Sequence, residues 1–255
     1  VEAKKLLDAM PDDINATVFW AAGKLYAVAA MKAPCVMLDT DLICWKNIDA
    51  LLDGADAAAI HREDIIPSIY PGKAAFSRSN GFDFDAFDWS VQPLNTALCS
   101  FSDDAFRRFY ADTAIRFMRC SPDADDALTY MVFAEQRLLA MCAEKKHAHA
   151  AALSDLPALF GGAQNGYFTH IWGFKQQMRE NPELYEDFCR RCAARLQKDF
   201  PEESKTIANY LRFLHKKDSL SAVFCFLFTE NAAMFILHFP FRIYRFSHVP
   251  NCWYG

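Results

Sequence analysis

The chain has 255 residues, 53% of them hydrophobic, and a formal net charge of −5. That length and apolar content support one large α/β domain or two small ones and exclude a disordered chain. The acidic balance removes the basic footprint that nucleic-acid binding requires, so no nucleic-acid partner is expected.

Residues 2–10 predict a short helix ended by Pro11. Thr17-Val18-Phe19-Trp20 reads as a strand or as the lead into the next helix, and residues 21–31 place Leu25 and Val28 at helical spacing. Pro34-Cys35-Val36-Met37-Leu38-Asp39-Thr40-Asp41-Leu42-Ile43 follows. A continuous apolar run broken by a turn signal predicts a buried central strand, with Asp39 and Asp41 at the end where open α/β sheets place ligands. Two residues apart, the carboxylates share a side while the strand stays extended, and in water-poor surroundings they need a cation or strong donors. Carboxylate oxygens suit Mn²⁺ or Mg²⁺, whose shells are commonly completed by phosphate oxygens. An ordinary Asp-rich turn after a strand is the plain alternative.

Residues 45–52 predict a short helix and 55–60 a second strand. Residues 61–93, rich in Pro, Gly and aromatics, form a long irregular segment of the kind that is functional or mobile. Residues 94–101 are a further buried strand. Residues 103–118 are an amphipathic helix with Phe106, Phe109, Tyr110, Ala114 and Phe117 on one face. A longer helix over 125–146 carries Glu135 and Gln136. Next come a strand at 148–153, a Gly-rich loop at 161–167, a short strand at 168–172 and helices at 182–198 and 206–215.

Residues 219–240 are Phe-rich, with Glu230 the one Asp, Glu, Lys or Arg among them. The block approaches the length of a membrane span, about 20 residues. Glu230, Asn231 and His238 would be costly at mid-bilayer, so a buried helix pair or a surface-lying element is expected instead. Arg242 and Arg245 among Phe241, Tyr244 and Phe246 suit contact with anionic lipid, which gives residues 219–246 as a peripheral membrane contact. The 23 Phe point to an aromatic-lined cleft or an unusually apolar surface. Nine scattered Cys read as reduced thiols, and no signal peptide opens a sequence that begins with Val. The expected location is cytoplasmic, extending to the inner face of the membrane.

Several separated motifs belong together. Gly23-Lys24-Leu25-Tyr26-Ala27 precedes the D-x-D strand, and Pro93-Leu94-Asn95-Thr96-Ala97 follows the long segment. Glu135-Gln136-Arg137-Leu138-Leu139 lies on a helix, and Thr169-His170-Ile171-Trp172-Gly173-Phe174-Lys175 comes late. In order and spacing over residues 21–176 these resemble the GT-A nucleotide-sugar glycosyltransferases, especially the bacterial capsule-type and family 8-like enzymes. The resemblance implies an α/β fold, a GT-A (Rossmann-like) mixed sheet flanked by helices. It also implies a catalytic domain over residues 1–205, while the Phe-rich remainder, 206–255, reads as a helical apolar extension. Thirty-eight residues precede Asp39, so the base-binding part is expected to be short or missing.

By the same resemblance Asp39, Asp41 and His170 would hold a divalent metal, Mn²⁺ or Mg²⁺, and Glu135 and Gln136 would face the sugar. Lys24 would reach the diphosphate or donor sugar, Asn95 a sugar hydroxyl, Trp172 a sugar or base by stacking, and Lys175 the diphosphate as a point charge. Lys175 follows Gly173 by two residues where the family pattern has three. The implied activity is metal-dependent transfer of a sugar from a nucleotide-diphosphate donor to a hydroxyl acceptor, a glycan or glycolipid, in bacterial polysaccharide or glycoconjugate synthesis. Two other readings stay open. One is a carbohydrate- or nucleotide-binding relative that has lost turnover. The other is a metal-dependent phosphohydrolase or nucleotidyltransferase using Asp123-Ala124-Asp125-Asp126 as further acidic ligands.

Overall fold

A computed structural model of the chain describes residues 2–3, 11, 13–157, 166–171, 174–205, 234–238 and 242–246. It is a mixed α/β structure. Its main sheet has seven strands: β1 (Glu2–Ala3), β2 (Cys35–Leu38), β4 (Ala57–Arg62), β5 (Leu94–Phe101), β6 (Ala150–Ala152), β8 (Met234–His238) and β9 (Arg242–Phe246). Their order is β1-β9-β8-β2-β5-β4-β6, with β2 antiparallel to both of its neighbours and β6 parallel to β4. A second, two-stranded sheet joins β3 (Leu42–Cys44) to β7 (Phe168–His170). Beside it the Trp45 amide donates to the Tyr167 carbonyl at 2.7 Å, and the Trp45 indole donates to Thr169 Oγ1 at 2.8 Å.

The apolar run of β2 is continuous because both faces of the strand are covered. Cys35 and Met37 enter the larger core with α1 (Ala22–Ala30), α3 (Asp104–Arg119) and the helical stretch 127–146. Val36 and Leu38 enter a smaller core with Leu42, Ile48, Ile60, Leu98 and Phe168. Only Asp49–Leu52 of the helix expected at 45–52 is helical, as the short α2, because β3 has already taken the residues before Trp45.

Helix ends use the expected chemistry. Asp103 caps α3 by accepting from the Phe106 amide, and Asp126 caps α4 (Ala127–Val132) by accepting from the Thr129 amide. The last carbonyls of α1 are met by Arg107, only 2% exposed, whose guanidinium donates to Val28 and Ala29. Asp104 orients that guanidinium and also accepts from the Ala33 amide at 3.0 Å. The Ala33 amide, followed by Arg107, holds the Asp104 carboxyl down to about 2.

Beyond the end of β4 at Arg62, the regular structure of the long segment 61–93 is two short 3₁₀ turns, Lys73–Phe76 and Phe84–Ala86, yet the segment is packed down. Phe76, Phe82 and Phe84 contact Phe117 of α3, as do Phe19, Tyr130 and Phe133, with ring centroids 4.7 to 6.1 Å apart. Phe19, Phe76, Phe82, Phe84, Phe117 and Phe133 thus build one aromatic core cluster.

Two expectations are corrected. Glu2 and Ala3 lie in a strand parallel to β9, not in a helix; residues 4–10 lie outside the described residues. The extension over 206–255 is not simply helical, since β8 and β9 pair with each other and β8 joins the central strand. Met234-Phe235-Ile236-Leu237 is an apolar run of strand length, and Arg242-Ile243-Tyr244-Arg245-Phe246 is rich in the aromatic and β-branched residues that suit strands. The chain divides into two compact units, one of residues 1–169 and 233–255 and the other of residues 170–232.

In the second unit, α6 (Lys175–Glu180) is followed by α7 (Pro182–Asp199), which is capped by Asn181 and has Pro182 at its first position. Cys189 and Cys192 form a C-x-x-C pair on α7 that the reading of scattered cysteines misses; both are buried free thiols. Burial pushes Cys192 up to about 11, which makes it a poor nucleophile. The helix expected at 206–215 lies outside the described residues. No described helix is long and apolar enough to cross a membrane.

Phe117→Ala is expected to lower unfolding free energy by about 3–5 kcal/mol in urea titration, since it opens a cavity among six rings. Limited proteolysis of this variant should cut first within residues 61–93.

Candidate functional site

The C-terminal ends of β2 and β4 and the start of β5 lie at one end of the main sheet. β2 ends in a tight turn in which the Leu42 amide donates to the Asp39 carbonyl at 3.1 Å. The Asp39 amide donates to Ala97 of β5 at 2.7 Å, so the backbone of Asp39 is fixed by the sheet. The turn ends the extended run, so Asp39 and Asp41 are not held by strand alternation; Asp39 is half-buried and Asp41 is buried.

Lys24 of α1 reaches this end from one side. Its ammonium lies 2.8 Å from Asp39 Oδ1 and also donates to Glu135 Oε1. Glu135 is 4% exposed and accepts a second bond from Thr96 Oγ1 at 2.5 Å, while its backbone carbonyl accepts from the Tyr110 hydroxyl at 2.7 Å. Burial opposes the charge on Lys24, but Asp39 and Glu135 together outweigh it and raise the ammonium above its ordinary range. Burial pushes the Asp39 carboxyl up to about 7; Lys24 opposes that rise, and the charges of Glu135 and Asp41 add to it.

Glu135 gets its position from a feature that helical periodicity does not show. Residues Phe133–Arg137 form a π-helical turn between α4 and α5 (Leu138–Lys146). All three polar residues of that turn are engaged. Glu135 meets Lys24 and Thr96, Gln136 accepts from the Tyr70 hydroxyl at 2.5 Å, and Arg137 donates to the Trp89 carbonyl at 2.5 Å. Tyr70 and Trp89 come from the long segment, so the turn ties that segment to the site. Tyr70 is raised above its ordinary range, first by burial and then by the charges of Glu63 and Glu135.

The Asn95 side chain is bonded within the protein. It is 4% exposed, its Nδ2 donates to Glu63 Oε1 at 2.9 Å, and its Oδ1 accepts from the Ala97 amide. Glu63 lies 3.7 Å from His61 Nε2. His61 is 1% exposed, its Nδ1 is bonded to the Arg62 carbonyl, and its Nε2 has no hydrogen-bond partner. Sequence reasoning missed Thr96, Tyr70, Glu63 and His61. Thr96 was adjacent to a residue already singled out, and the other three fall where no periodicity guides the eye.

Of the remaining expected residues, His170 and Lys175 belong to the second compact unit, His170 closing β7 and Lys175 opening α6. Trp172 lies outside the described residues. Among the described residues no three His, Cys, Asp or Glu side chains are arranged to hold an ion. In the stretch 123–126 the Asp123 carbonyl and the Asp125 carboxylate accept from the Arg78 guanidinium, and the Asp126 carboxylate caps α4.

Asp39 and Asp41, the carboxylates that the resemblance assigns to a divalent ion, both lie at this sheet end. The charges of Glu135 and Asp41 act on Asp39, and the Lys24 ammonium pairs with both Asp39 and Glu135. Asp39 and Asp41 are hard oxygen donors of the kind Mn²⁺ and Mg²⁺ take, with water or phosphate oxygens needed to complete the shell. In comparisons with known proteins no family model matches the chain, and neither does any curated protein or solved structure.

The pH dependence follows from Asp39. Its folded-state value lies above the ordinary carboxylate value, so between about 4 and about 7 the folded chain holds a proton that the unfolded chain has released. Wild-type stability should therefore fall relative to Asp39→Asn as pH rises across that window, then level off. Urea titrations of both proteins at pH steps check this, and a relative gain in wild-type stability over the window would contradict it.

Proposed function

We propose that the chain is a GT-A-like glycosyltransferase that uses a divalent metal and a nucleotide-diphosphate sugar and transfers the sugar to a hydroxyl of a glycan or glycolipid. One observation carries the reading. Lys24, Asp39, Thr96 and Glu135, from four separate stretches of the resemblance, join at one sheet end in a network of ion pairs and hydrogen bonds, with Asn95 bonded to Glu63 and Gln136 to Tyr70. A plain Asp-rich turn needs no buried lysine bridging it to a glutamate 111 residues away. Burying such charges costs several kcal/mol per ion unless they are paired, and that cost favours a functional account over an incidental one.

Asp39 and Asp41 would hold the ion. When bound, it supplies stabilisation of the negative charge that develops on the leaving diphosphate. Lys24 and Thr96 fix Glu135, and Tyr70 fixes Gln136, so the acidic-amide pair is set before substrate arrives. Glu63 is oriented by Asn95, whose Nδ2 donates to its Oε1, and is assigned here as the base. In a single displacement it takes the proton of the acceptor hydroxyl. The acceptor oxygen forms its bond to the anomeric carbon, and the bond to the diphosphate oxygen breaks with its electron pair leaving on the diphosphate.

The test is a panel of nucleotide-diphosphate sugars with Mn²⁺, scored for release of nucleoside diphosphate with and without mono- and oligosaccharide acceptors. Wild type should turn over at least one donor. Asp41→Asn should lose about a hundredfold or more in kcat while unfolding at a similar urea concentration. Glu63→Gln should lower kcat with little change in donor KM. No turnover of any donor, or equal rates for Asp41→Asn and wild type, would overturn the proposal.

A further inference from the structure

His61 is a buried group of the sheet end that the mechanism above does not use. It stands opposite Asn95, just past the point where the pairing of β4 with β5 shifts register, an irregularity of the kind that re-aims a side chain. Its Nδ1 lies 3.0 Å from the Arg62 carbonyl, which can only accept. Nδ1 therefore carries the hydrogen, and Nε2 presents a bare lone pair. That lone pair is 3.7 Å from Glu63 Oε1 and has no hydrogen-bond partner among the described residues. Oε1 also accepts from Asn95 Nδ2, and Asn95 Oδ1 accepts from the Ala97 amide. Two acceptors thus face each other, and the cluster is one proton short. A proton on Nε2 completes it, with the imidazolium donating to Arg62 and Glu63. A histidine kept for packing alone carries an unmet nitrogen that an apolar side chain would not.

We propose that His61 receives the proton that Glu63 takes from the acceptor hydroxyl. The inference rests on the transferase reading and on Glu63 as its base. As the acceptor oxygen bonds to the anomeric carbon, its O–H bond breaks and an O–H bond forms on Glu63. That bond breaks in turn as the proton passes to His61 Nε2, and its electron pair stays on Glu63. Carboxylate and imidazolium then share a charge-assisted hydrogen bond, which needs a side-chain shift of under about 1 Å. When the products leave, the proton returns through Glu63 to water. A buried base that takes a proton gains a donor, and an unmet donor in a buried site is costly. His61 meets it. Acting through Glu63, His61 is a positioning residue for the proton and leaves substrate binding unchanged.

Two measurements test this. The first uses wild type with no substrate. In protein carrying ¹⁵N-labelled histidine, the His61 ring signals, assigned through the backbone, should show a protonated Nδ1 and a bare Nε2 at mildly alkaline pH. A hydrogen on Nε2 would overturn the inference and leave the transferase reading standing. The second is kinetic. His61→Gln keeps a polar side chain of similar reach that cannot take up a proton. It should lower kcat about tenfold or more, with KM for donor and acceptor within about twofold of wild type. Added to Glu63→Gln it should cost nothing further, since no proton then reaches His61. An unchanged kcat in His61→Gln, or an equal loss in both backgrounds, would overturn the inference while Glu63 remains the base. No turnover of any donor, or a Glu63→Gln variant as active as wild type, would overturn the reading beneath it and the inference with it.

Discussion

One ammonium group, that of Lys24, bridges carboxylates that the chain brings together from far apart. Asp39 ends the central strand and Glu135 sits on a π turn, while Lys24 itself comes from the first helix. Each charge alone would be too costly to bury, and the three are tolerated only as a set. Such a set contributes less to net stability than to defining one arrangement, because any slip that separates the partners strands a charge. The helix, the strand end and the turn are fixed relative to one another by this requirement. Thr96 and the Tyr110 hydroxyl then hold Glu135 at its side chain and its carbonyl.

The second constraint is aromatic. A segment of more than thirty residues with hardly any regular structure would ordinarily be loose, and here it is clamped by rings on both sides of Phe117. The clamp has a polar seam. Arg137 lies over the Trp89 ring at 5.3 Å and donates to the Trp89 carbonyl, while Tyr70 meets Gln136. The same π turn thus supports the ion set and anchors the long segment, so a change in either reaches the other through about one helical turn.

Much of the frame is legible in the sequence. The apolar run of β2, the eight-residue span of β5 and the amphipathic face of α3 appear because burial imposes a pattern on residue type. The site is legible only as a set of residues. Lys24, Asp39, Glu135 and Gln136 stand out, but their partnerships do not, because an ion pair between positions over a hundred residues apart leaves no periodic trace. Asn95 shows the reverse problem: its type suits a ligand contact, yet its side chain supports Glu63 and the strand. The C-terminal strands were hidden for a different reason. A single apolar block of 22 residues has the length of a helix pair or a span, and only the change of pattern around Pro240 separates the two short strands.

The most direct test of the central claim is a double-mutant cycle on the stability of Lys24→Met, Glu135→Gln and the double variant, by urea unfolding at neutral pH. The account requires each single change to strand a buried partner and the double change to relieve that loss, with a coupling of about 1–3 kcal/mol. Effects that simply add, within about 0.3–0.5 kcal/mol, would mean that the lysine and the glutamate do not depend on one another and that the site is not organised around them.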